Sequence, residues 1–379
     1  MINDTYLYAG VRTPIGKLSG KLANRSAVDL AGEALSRLKD MHPNAANADG
    51  IIMGMTIQAG SGTNPTRVAA HRGGLGLSIP SITLNNACLA GIDCMVDASR
   101  RIAFGDGQAY LVGGMDSASG TPTLEMQDGN NVSALYRDGL ICAINAEHVG
   151  VLSDRRNREL GISRERQDEW ALISQQRAAK ANFVETGELF TLTTESGDMS
   201  VDESIRPHIS AEALAKLSPV FDENGTITAG NAPPIADAAA VGVVGSRDYA
   251  DVIGKDPLVR IVDWAYSAGP DATLHNQPGV ATQRLLNRQN LRPSDIDLYE
   301  INEAFAGVVL AAMDDLGLPA DVVNPNGGAI ALGHPHAATA FRQVLTLSIE
   351  LNRRNLKRGV ATLCGAGGQG IAILIETVS

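Results

Sequence analysis

The residues in this chain best suited to covalent chemistry are two cysteines and a histidine that lie far apart in the sequence. Cys88 stands in the stretch Asn85-Asn-Ala-Cys-Leu-Ala-Gly91, between a predicted strand and a predicted helix. A thiol at a helix N-terminus meets unpaired N–H groups and the positive end of the helix dipole, which favour the nucleophilic thiolate and can also hold an oxyanion. The alternative is a small buried residue, since cysteine is often buried.

His334 lies in a stretch rich in glycine and proline, Asn324-Pro-Asn-Gly-Gly-Ala-Ile-Ala-Leu-Gly-His-Pro-His336. Glycine permits positive φ and close approach of other atoms, and proline fixes the turn that follows. A constrained loop therefore holds His334 where a helix is predicted to begin. Cys364 stands where a strand enters the run Gly365-Ala-Gly-Gly-Gln-Gly370, which a ligand could approach closely. Its alternative is a packed cysteine at a strand end.

Asn302 follows a predicted strand, in Asn302-Glu-Ala-Phe305, and precedes a helix predicted over 304–316. It could serve as the N-cap of that helix, with Glu303 placed favourably in the first turn. Alternatively, its amide could orient a water molecule or a substrate carbonyl.

Predicted strands and helices alternate at both ends of the chain, which indicates βαβ units and a mostly parallel sheet. The pattern loosens between residues 115 and 244, where the convincing helical periodicity runs over 164–187. The elements near the C-terminus repeat the order of those near the N-terminus. A strand, a loop and a helix carry Cys88 in the first half, and a strand, a loop and a helix carry His334 in the second. We therefore predict an internal repeat and three parts: residues 1–114, a loop domain with its return to the core at 115–245, and residues 246–379.

Bulk composition excludes several classes of protein. The net charge of −11 argues against non-specific nucleic-acid binding, which needs basic surface. No apolar run is long enough to cross a bilayer, and the N-terminus lacks the layout of a signal peptide. The four cysteines are too scattered for a disulfide framework and lack zinc-site spacing, so we expect no metal site and a cytoplasmic location.

Taken together, these stretches resemble the thiolase family, the acyl-CoA C-acyltransferases, over essentially the whole chain. Further marks of the resemblance are Arg12-Thr-Pro-Ile-Gly16, Gly113-Gly-Met-Asp-Ser117 and Asp222-Glu-Asn-Gly-Thr-Ile-Thr-Ala-Gly-Asn231. The resemblance implies an α/β thiolase fold, in which two similar βαβ-based halves form a five-layer αβαβα core with an inserted loop domain. It also implies reversible condensation or cleavage of 3-ketoacyl-CoA through an acyl-cysteine.

The resemblance also assigns roles to residues that match the family's motifs. Cys88 matches the acylated nucleophile, and His334 matches the histidine that activates it. Cys364 matches the cysteine that acts as acid and base toward the α-carbon. Asn302 matches the residue that positions a water in one oxyanion hole. Ala366 occupies a glycine position whose N–H, with that of Cys88, would form the other hole.

The resemblance implies that coenzyme A and its thioesters are substrates and that no cofactor is permanently bound. Arg206 fits a position that contacts its nucleotide part, where a guanidinium suits phosphate or adenine. Pro233 and Pro234 stand where the family usually has Ser-Gly at the pantetheine site. The resemblance further implies a homodimer, with a tetramer as the alternative, because the loop between 119 and 146 is short.

Other departures from the family pattern leave alternatives open. The segment Ile141-Cys-Ala-Ile-Asn145 replaces a run that covers the pantetheine, and His336-Ala-Ala-Thr-Ala340 replaces Ile-Gly-Ala-Ser-Gly. One alternative is a thiolase-like enzyme for an atypical acyl or carrier substrate. Another is a non-catalytic, CoA- or lipid-binding thiolase-like protein, which retention of the four reactive positions disfavours. A decarboxylating ketosynthase is disfavoured further, because such sites use two histidines and no second cysteine.

Overall fold

A mixed sheet of ten strands organises the chain, which a computed structural model describes over residues 4–378. The strands of this sheet and of three small hairpins are β1 (Thr5–Arg12), β2 (Gly16–Lys17), β3 (Gly50–Gly54), β4 (Ser81–Leu84), β5 (Ala109–Ser117), β6 (Thr123–Glu125), β7 (Asn131–Ser133), β8 (Ile141–Cys142), β9 (Glu147–His148), β10 (Leu192–Thr194), β11 (Gly197–Met199), β12 (Ala236–Ser246), β13 (Val259–Ala268), β14 (Leu298–Ile301), β15 (Arg358–Gly365) and β16 (Gln369–Thr377).

Helices cover the sheet and link its strands. They are α1 (Ala27–Met41), α2 (Pro65–Arg72), α3 (Ala90–Phe104), α4 (Val149–Glu159), α5 (Arg164–Lys180), α6 (Ala211–Ala215), α7 (Tyr249–Ile253), α8 (Gln277–Gln289), α9 (Ala306–Leu316), α10 (Ala329–Leu332) and α11 (His336–Arg354). Short 3₁₀ or π segments occupy Pro43–Asn47, Leu135–Leu140, Pro293–Asp295 and Ala320–Val322.

The two halves of the chain repeat one order of strands. In the first half β3 pairs in parallel with β4 and β5, and antiparallel strands β12 and β1 follow β5. In the second half β14 pairs in parallel with β15, and antiparallel strands β16 and β13 follow. An antiparallel pairing of β1 with β13 joins the halves. This order supports the predicted internal repeat.

Helices α3 and α11 form the middle layer of the fold. One core cluster combines their apolar side chains with those of strands from both halves, including Val112 and Ile373. A second cluster packs α1 and α2 on the outer face of the first half, and a third packs α8 and α9 on the outer face of the second. The predicted five-layer αβαβα arrangement is confirmed. Because α11 is enclosed by both halves, nearly all of its residues are buried.

Two glycines allow the middle layer to pack closely. A Cβ added to Gly91 in α3 would lie 2.4 Å from the carbonyl oxygen of Ala337 in α11. A Cβ added to Gly114 in β5 would lie 2.1 Å from the same oxygen. Since real side chains cannot come so near, glycine is required at both positions for α11 to contact α3 and β5. The loops that precede α3 and α11 are thereby brought together.

Several predictions about the fold are wrong. The sheet is not mostly parallel, because three of its strand pairings are parallel and six are antiparallel. Strand β12 lies between β1 and β5 near the centre of the sheet, within the segment that showed no strand pattern. Helix α4 was also not predicted. Helix α5 ends at Lys180 rather than 187, because Ala181 is extended and a turn follows.

Candidate active site

Cys88 projects from a tight turn between β4 and α3. Ala87 has a positive φ of 48°, and its N–H donates to Oδ1 of Asn85 at 3.0 Å. Alanine in the left-handed region costs on the order of 1 kcal/mol, so the neighbouring structure must hold this turn in place. Helix α3 begins at Ala90, two residues after the cysteine. The predicted position of Cys88 between a strand and a helix N-terminus is confirmed.

His334 meets the Cys88 sulfur across the middle layer. Its Nε2 lies 3.2 Å from Cys88 Sγ, and its Nδ1 lies 2.8 Å from Oγ1 of Thr339. The N–H of His334 donates to the carbonyl of Pro234 at 2.9 Å, and Gly333 before it has a φ of 110°. With Nδ1–H donating to the Thr339 hydroxyl, Nε2 is left to accept the proton of the thiol.

Burial sets the resting charge state of this pair. It raises the pKa of the Cys88 thiol above its ordinary value, and the nearby Cys364 and Asp116 act in the same direction. It also lowers the pKa of His334 well below 6.5, assisted by His336 and Arg342. The resting pair is therefore a neutral thiol and a neutral imidazole. The helix N-terminus alone does not produce a resting thiolate, so deprotonation requires His334 as a base.

Cys364 is the residue before the last in β15, next to the turn that leads into β16. It is buried, and burial raises the pKa of its thiol to about 12. The next residues form the glycine turn, in which Gly367 and Gly368 both have positive φ. Within residues 4–378, the backbone N–H groups of Cys88 and Ala366 donate to no backbone or side-chain acceptor. Both N–H groups are thus available to an oxyanion.

A cavity of about 280 Å³ connects these residues. Its wall is mostly apolar, and the polar side chains on it are imidazoles and thiols. The lining residues are Cys88, Gly139, Leu140, His148, Val149, Val220, Phe221, Ala232, Pro233, Pro234, Ile235, Leu274, Ala304, Phe305, His334, His336, Cys364 and Ala366. An apolar chamber with a thiol, a base and a second thiol can hold an acyl group and exclude water from it.

Comparison with known proteins agrees with this geometry. Residues 5–248 match the family described as "Thiolase, N-terminal domain", and residues 255–377 match "Thiolase, C-terminal domain". The chain belongs to the thiolase family. It is 38% identical over 399 residues to the acetyl-CoA acetyltransferase of Escherichia coli K12, with all of both chains covered. Thiolase-type acyltransferase activity, predicted from the resemblance, is thereby confirmed as the activity class.

Two solved structures share the fold along their whole length. Human mitochondrial 3-ketoacyl-CoA thiolase is 31% identical to this chain and superposes with a TM-score of 0.93. The superposition covers 100% of both chains. The acetyl-CoA acetyltransferase of Bacillus anthracis is also 31% identical, with a TM-score of 0.91, and covers 100% of this chain and 99% of that one. This thiolase therefore shares its architecture with enzymes from distant organisms.

Asn302 of the thiolase does not cap a helix. Helix α9 begins at Ala306, and Phe305 precedes it, so the N-cap interpretation is wrong. Asn302 is 1% exposed, and neither end of its amide has a partner among the described residues. Its N–H donates to the carbonyl of Thr362 at 3.0 Å, which fixes it beside the strand that carries Cys364. A buried amide without protein partners can hold a water molecule.

Glu303 of the thiolase links packed segments through its carboxylate and does not lie in the first turn of a helix. Its carboxylate accepts hydrogen bonds from Trp170, Ser174, Asn324 and the N–H of Ile330. These contacts tie α5 to the loop that precedes α10. They explain how a buried carboxylate is tolerated at this position.

The residues expected to contact coenzyme A lie in different surroundings. Pro233 and Ala366 line the cavity, whereas Arg206 is exposed and lies outside it. The backbone N–H of Arg206 donates to Oε1 of Gln175 at 2.7 Å, and its guanidinium forms no ion pair among the described residues. Leu140 lines the cavity, but none of residues 141–145, the segment that departs from the family, does so, and Ile144 is 75% exposed.

Sequence reasoning missed the contacts of His336 and the role of Thr339. Both belong to the stretch that appeared only as a departure from the family. The hydroxyl of Thr339 is the partner of His334, and the only sequence signal for it is a position one helical turn beyond Pro335. His336 faces His334 edge to face, with ring centroids 5.1 Å apart. No pattern in the sequence distinguishes such a contact from a solvent-facing histidine.

In the part of the chain that the structure describes, no group of three or more His, Cys, Asp or Glu side chains could hold a metal ion. None of the helices formed by residues 4–378 is long and apolar enough to cross a membrane.

Proposed function

We propose that this thiolase acts on 3-ketoacyl-CoA thioesters, with Cys88 as the residue that becomes acylated. The observation that carries the proposal is the 3.2 Å contact between Cys88 Sγ and His334 Nε2, at the wall of a cavity that Cys364 also lines. One sulfur can hold an acyl group while the other exchanges a proton with carbon. A single group cannot serve both purposes in one step.

In the cleavage direction, Nε2 of His334 takes the proton of the Cys88 thiol as its sulfur attacks the 3-keto carbon. The developing oxyanion is held by hydrogen-bond donors, for which the N–H groups of Cys88 and Ala366 are available. The bond between carbons 2 and 3 then breaks, and the electron pair stays on carbon 2. Cys364 donates its proton to that carbon, which releases acetyl-CoA and leaves an acyl group on Cys88.

A second coenzyme A completes the reaction. Its thiol gives a proton to the Cys364 thiolate and attacks the acyl-cysteine, and the chain-shortened acyl-CoA leaves. The Cys88 sulfur recovers its proton from His334, so protons and charges balance over the cycle. Asn302 is proposed to hold the water that, with His334, binds the thioester oxygen of acetyl-CoA, the product of cleavage and the second substrate of condensation. Condensation is the reverse sequence, in which Cys364 removes the α-proton of acetyl-CoA.

Variants of the two proposed reactive cysteines test this assignment. Cys88→Ala is expected to lose turnover of acetoacetyl-CoA and to form no acyl-enzyme detectable by mass spectrometry. Cys364→Ala is expected to lose turnover but still to become acylated by acetyl-CoA at Cys88. Cys94→Ala, a core position at 0% exposure, is the matched control and should keep its activity. Full turnover by Cys88→Ala would refute the proposal.

The finer expectations about substrate, assembly and location are parts of the same proposal. Coenzyme A enters as a substrate and not as a resident cofactor, and Arg206 and Pro233 are proposed to contact it. A homodimer is supported by strand β4, which ends the sheet with Ile82 exposed and leaves an edge open to pairing. A role in fatty acid metabolism and a cytoplasmic location stay predictions.

A further inference from the structure

His336 is one of two cavity imidazoles that the proposed reaction does not use, the other being His148. It is 8% exposed, opens α11, and lines the cavity beside His334. The ring centroids of the two histidines are 5.1 Å apart and the planes meet at 78°. His336 therefore stands next to the base that serves Cys88, within the chamber where the acyl group would be held.

The ring nitrogens of His336 have no partner among residues 4–378. His334, by contrast, contacts Thr339 and Cys88 through its two nitrogens, and Nδ1 of His148 accepts the N–H of Gly150 at 3.0 Å. The ring lines the cavity, so its nitrogens can bond to a group placed there. An acyl chain that fills the cavity without offering such a group would leave the imidazole without a hydrogen bond, at a cost of about 1–3 kcal/mol.

The surrounding structure makes room for this imidazole. A Cβ added to Gly139 would lie 3.3 Å from Cε1 of His336 and 2.9 Å from Cδ1 of Ile57. Glycine at 139 thus leaves the space that the His336 ring occupies. The ring is fitted into the wall between Gly139 and His334.

The charged and titratable groups that face His336 are Asp116 and His334. The Asp116 carboxylate is occupied by the N–H groups of Thr56, Ile57 and Ala337, at 2.8–3.4 Å. Burial lowers the pKa of His336, although Asp116 acts against it. The ring is therefore neutral near pH 7, with one donor and one acceptor nitrogen, which suits an uncharged oxygen better than a carboxylate.

We propose that His336 determines acyl specificity by hydrogen bonding to an uncharged oxygen substituent, a hydroxyl or keto group, on the acyl chain that Cys88 carries. The inference rests on the proposed function, because it requires an acyl group in this cavity. Most of the remaining wall is apolar, as a chain of carbons requires. A plain alkyl chain of the same length would leave the His336 nitrogens unpaired.

The test compares 3-ketohexanoyl-CoA with its 5-hydroxy and 6-hydroxy derivatives as substrates for thiolysis. The measured quantity is kcat/KM for each hydroxylated substrate divided by kcat/KM for the plain one. In the wild type this ratio should exceed that of His336→Leu by about 5- to 10-fold for at least one derivative, the factor expected for one neutral hydrogen bond. His336→Gln, which keeps a donor and an acceptor, should retain part of the preference.

Other outcomes have distinct meanings. Equal ratios in the wild type and His336→Leu, for both derivatives, would overturn the specificity inference. Should His336→Leu fail to fold, a wild-type preference for the plain chain would overturn it as well. Turnover of acetoacetyl-CoA by the wild type is measured in parallel. If acetoacetyl-CoA is cleaved and the ratios are equal, only the role of His336 is wrong, whereas wild-type inactivity on all of these thioesters would overturn the proposed function too.

Discussion

Replacing Thr339 with valine should slow acylation of Cys88 although the side chain does not touch the sulfur. The two side chains have nearly the same shape, so the change removes only the hydroxyl that lies 2.8 Å from Nδ1 of His334. Thr339 is 1% exposed, so water cannot readily replace that hydroxyl. The imidazole then loses the contact that fixes its orientation, and Nε2 is no longer held toward the Cys88 sulfur.

The expected loss follows from the charge that develops on the ring. His334 is neutral at rest, because burial lowers its pKa, and it becomes an imidazolium when it takes the thiol proton. A hydrogen bond from a charged donor is worth about 1.5–3 kcal/mol. Thr339→Val should therefore lower kcat/KM for acetoacetyl-CoA about 10- to 100-fold. Thr339→Ser keeps the oxygen and should stay within about 3-fold of the wild type.

Two measurements separate orientation from folding. The rate at which iodoacetamide alkylates Cys88 should fall in parallel with kcat/KM in Thr339→Val, because both need the proton transfer to His334. Thermal denaturation of both variants checks that the fold is kept. The reasoning is refuted if folded Thr339→Val cleaves acetoacetyl-CoA as fast as Thr339→Ser, since the hydroxyl would then contribute nothing to the base.

Two other perturbations test the buried surroundings of the site. Burial lowers the pKa of His275 from 6.5 to about 3, so below pH 6.5 the unfolded chain binds a proton that the folded chain does not, and stability falls as pH falls. The free energy of unfolding should fall by about 2 kcal/mol between neutral pH and pH 5. Urea titrations should show that it depends less on pH in His275→Gln than in the wild type. An unchanged dependence on pH in the variant would contradict this. Gly91→Ala should destabilise the fold by about 1–3 kcal/mol, because the added Cβ would clash with Ala337. It should also lower kcat, because it would separate Cys88 from His334. If the variant kept the Tm and kcat of the wild type, the close contact at Gly91 would not be needed.

Local sequence pattern is sufficient to predict some of the helices and strands but not others. Helices α1 and α3 are readable from the sequence, because apolar residues recur at helical spacing along both and Ser26 caps α1 through its hydrogen bonds with Asp29. Strand β12 shows no such period. It consists of alanine, valine and glycine apart from Asp237 and Ser246, and all but its last residue are buried, so neither the alternation nor the bulk that marks a strand is present.

The parts of the candidate site that could be predicted are those where nearby residue types restrict the backbone. Gly333 and Pro335 around His334, and the turn before Cys88, restrict the backbone in ways that their residue types indicate. The contact of His334 with Thr339 and the burial of Asn302 depend on packing between distant segments, which no local pattern contains. The roles of Cys88, His334, Cys364 and Asn302 stay predictions until the variants are measured, as does the division into 1–114, 115–245 and 246–379.

The distance between nucleophile and base in this thiolase is a property of helix packing more than of its loops. Cys88 lies two residues before α3, and His334 lies two residues before α11. The two helices contact each other where Gly91 permits it, so the starts of both are fixed by the core that encloses them. A loop alone could hold either residue only loosely, and a shift of about 1 Å in such a pair can cost on the order of 100-fold in rate. Placing both reactive residues just before two helices that pack together in the middle layer gives the pair a rigid support.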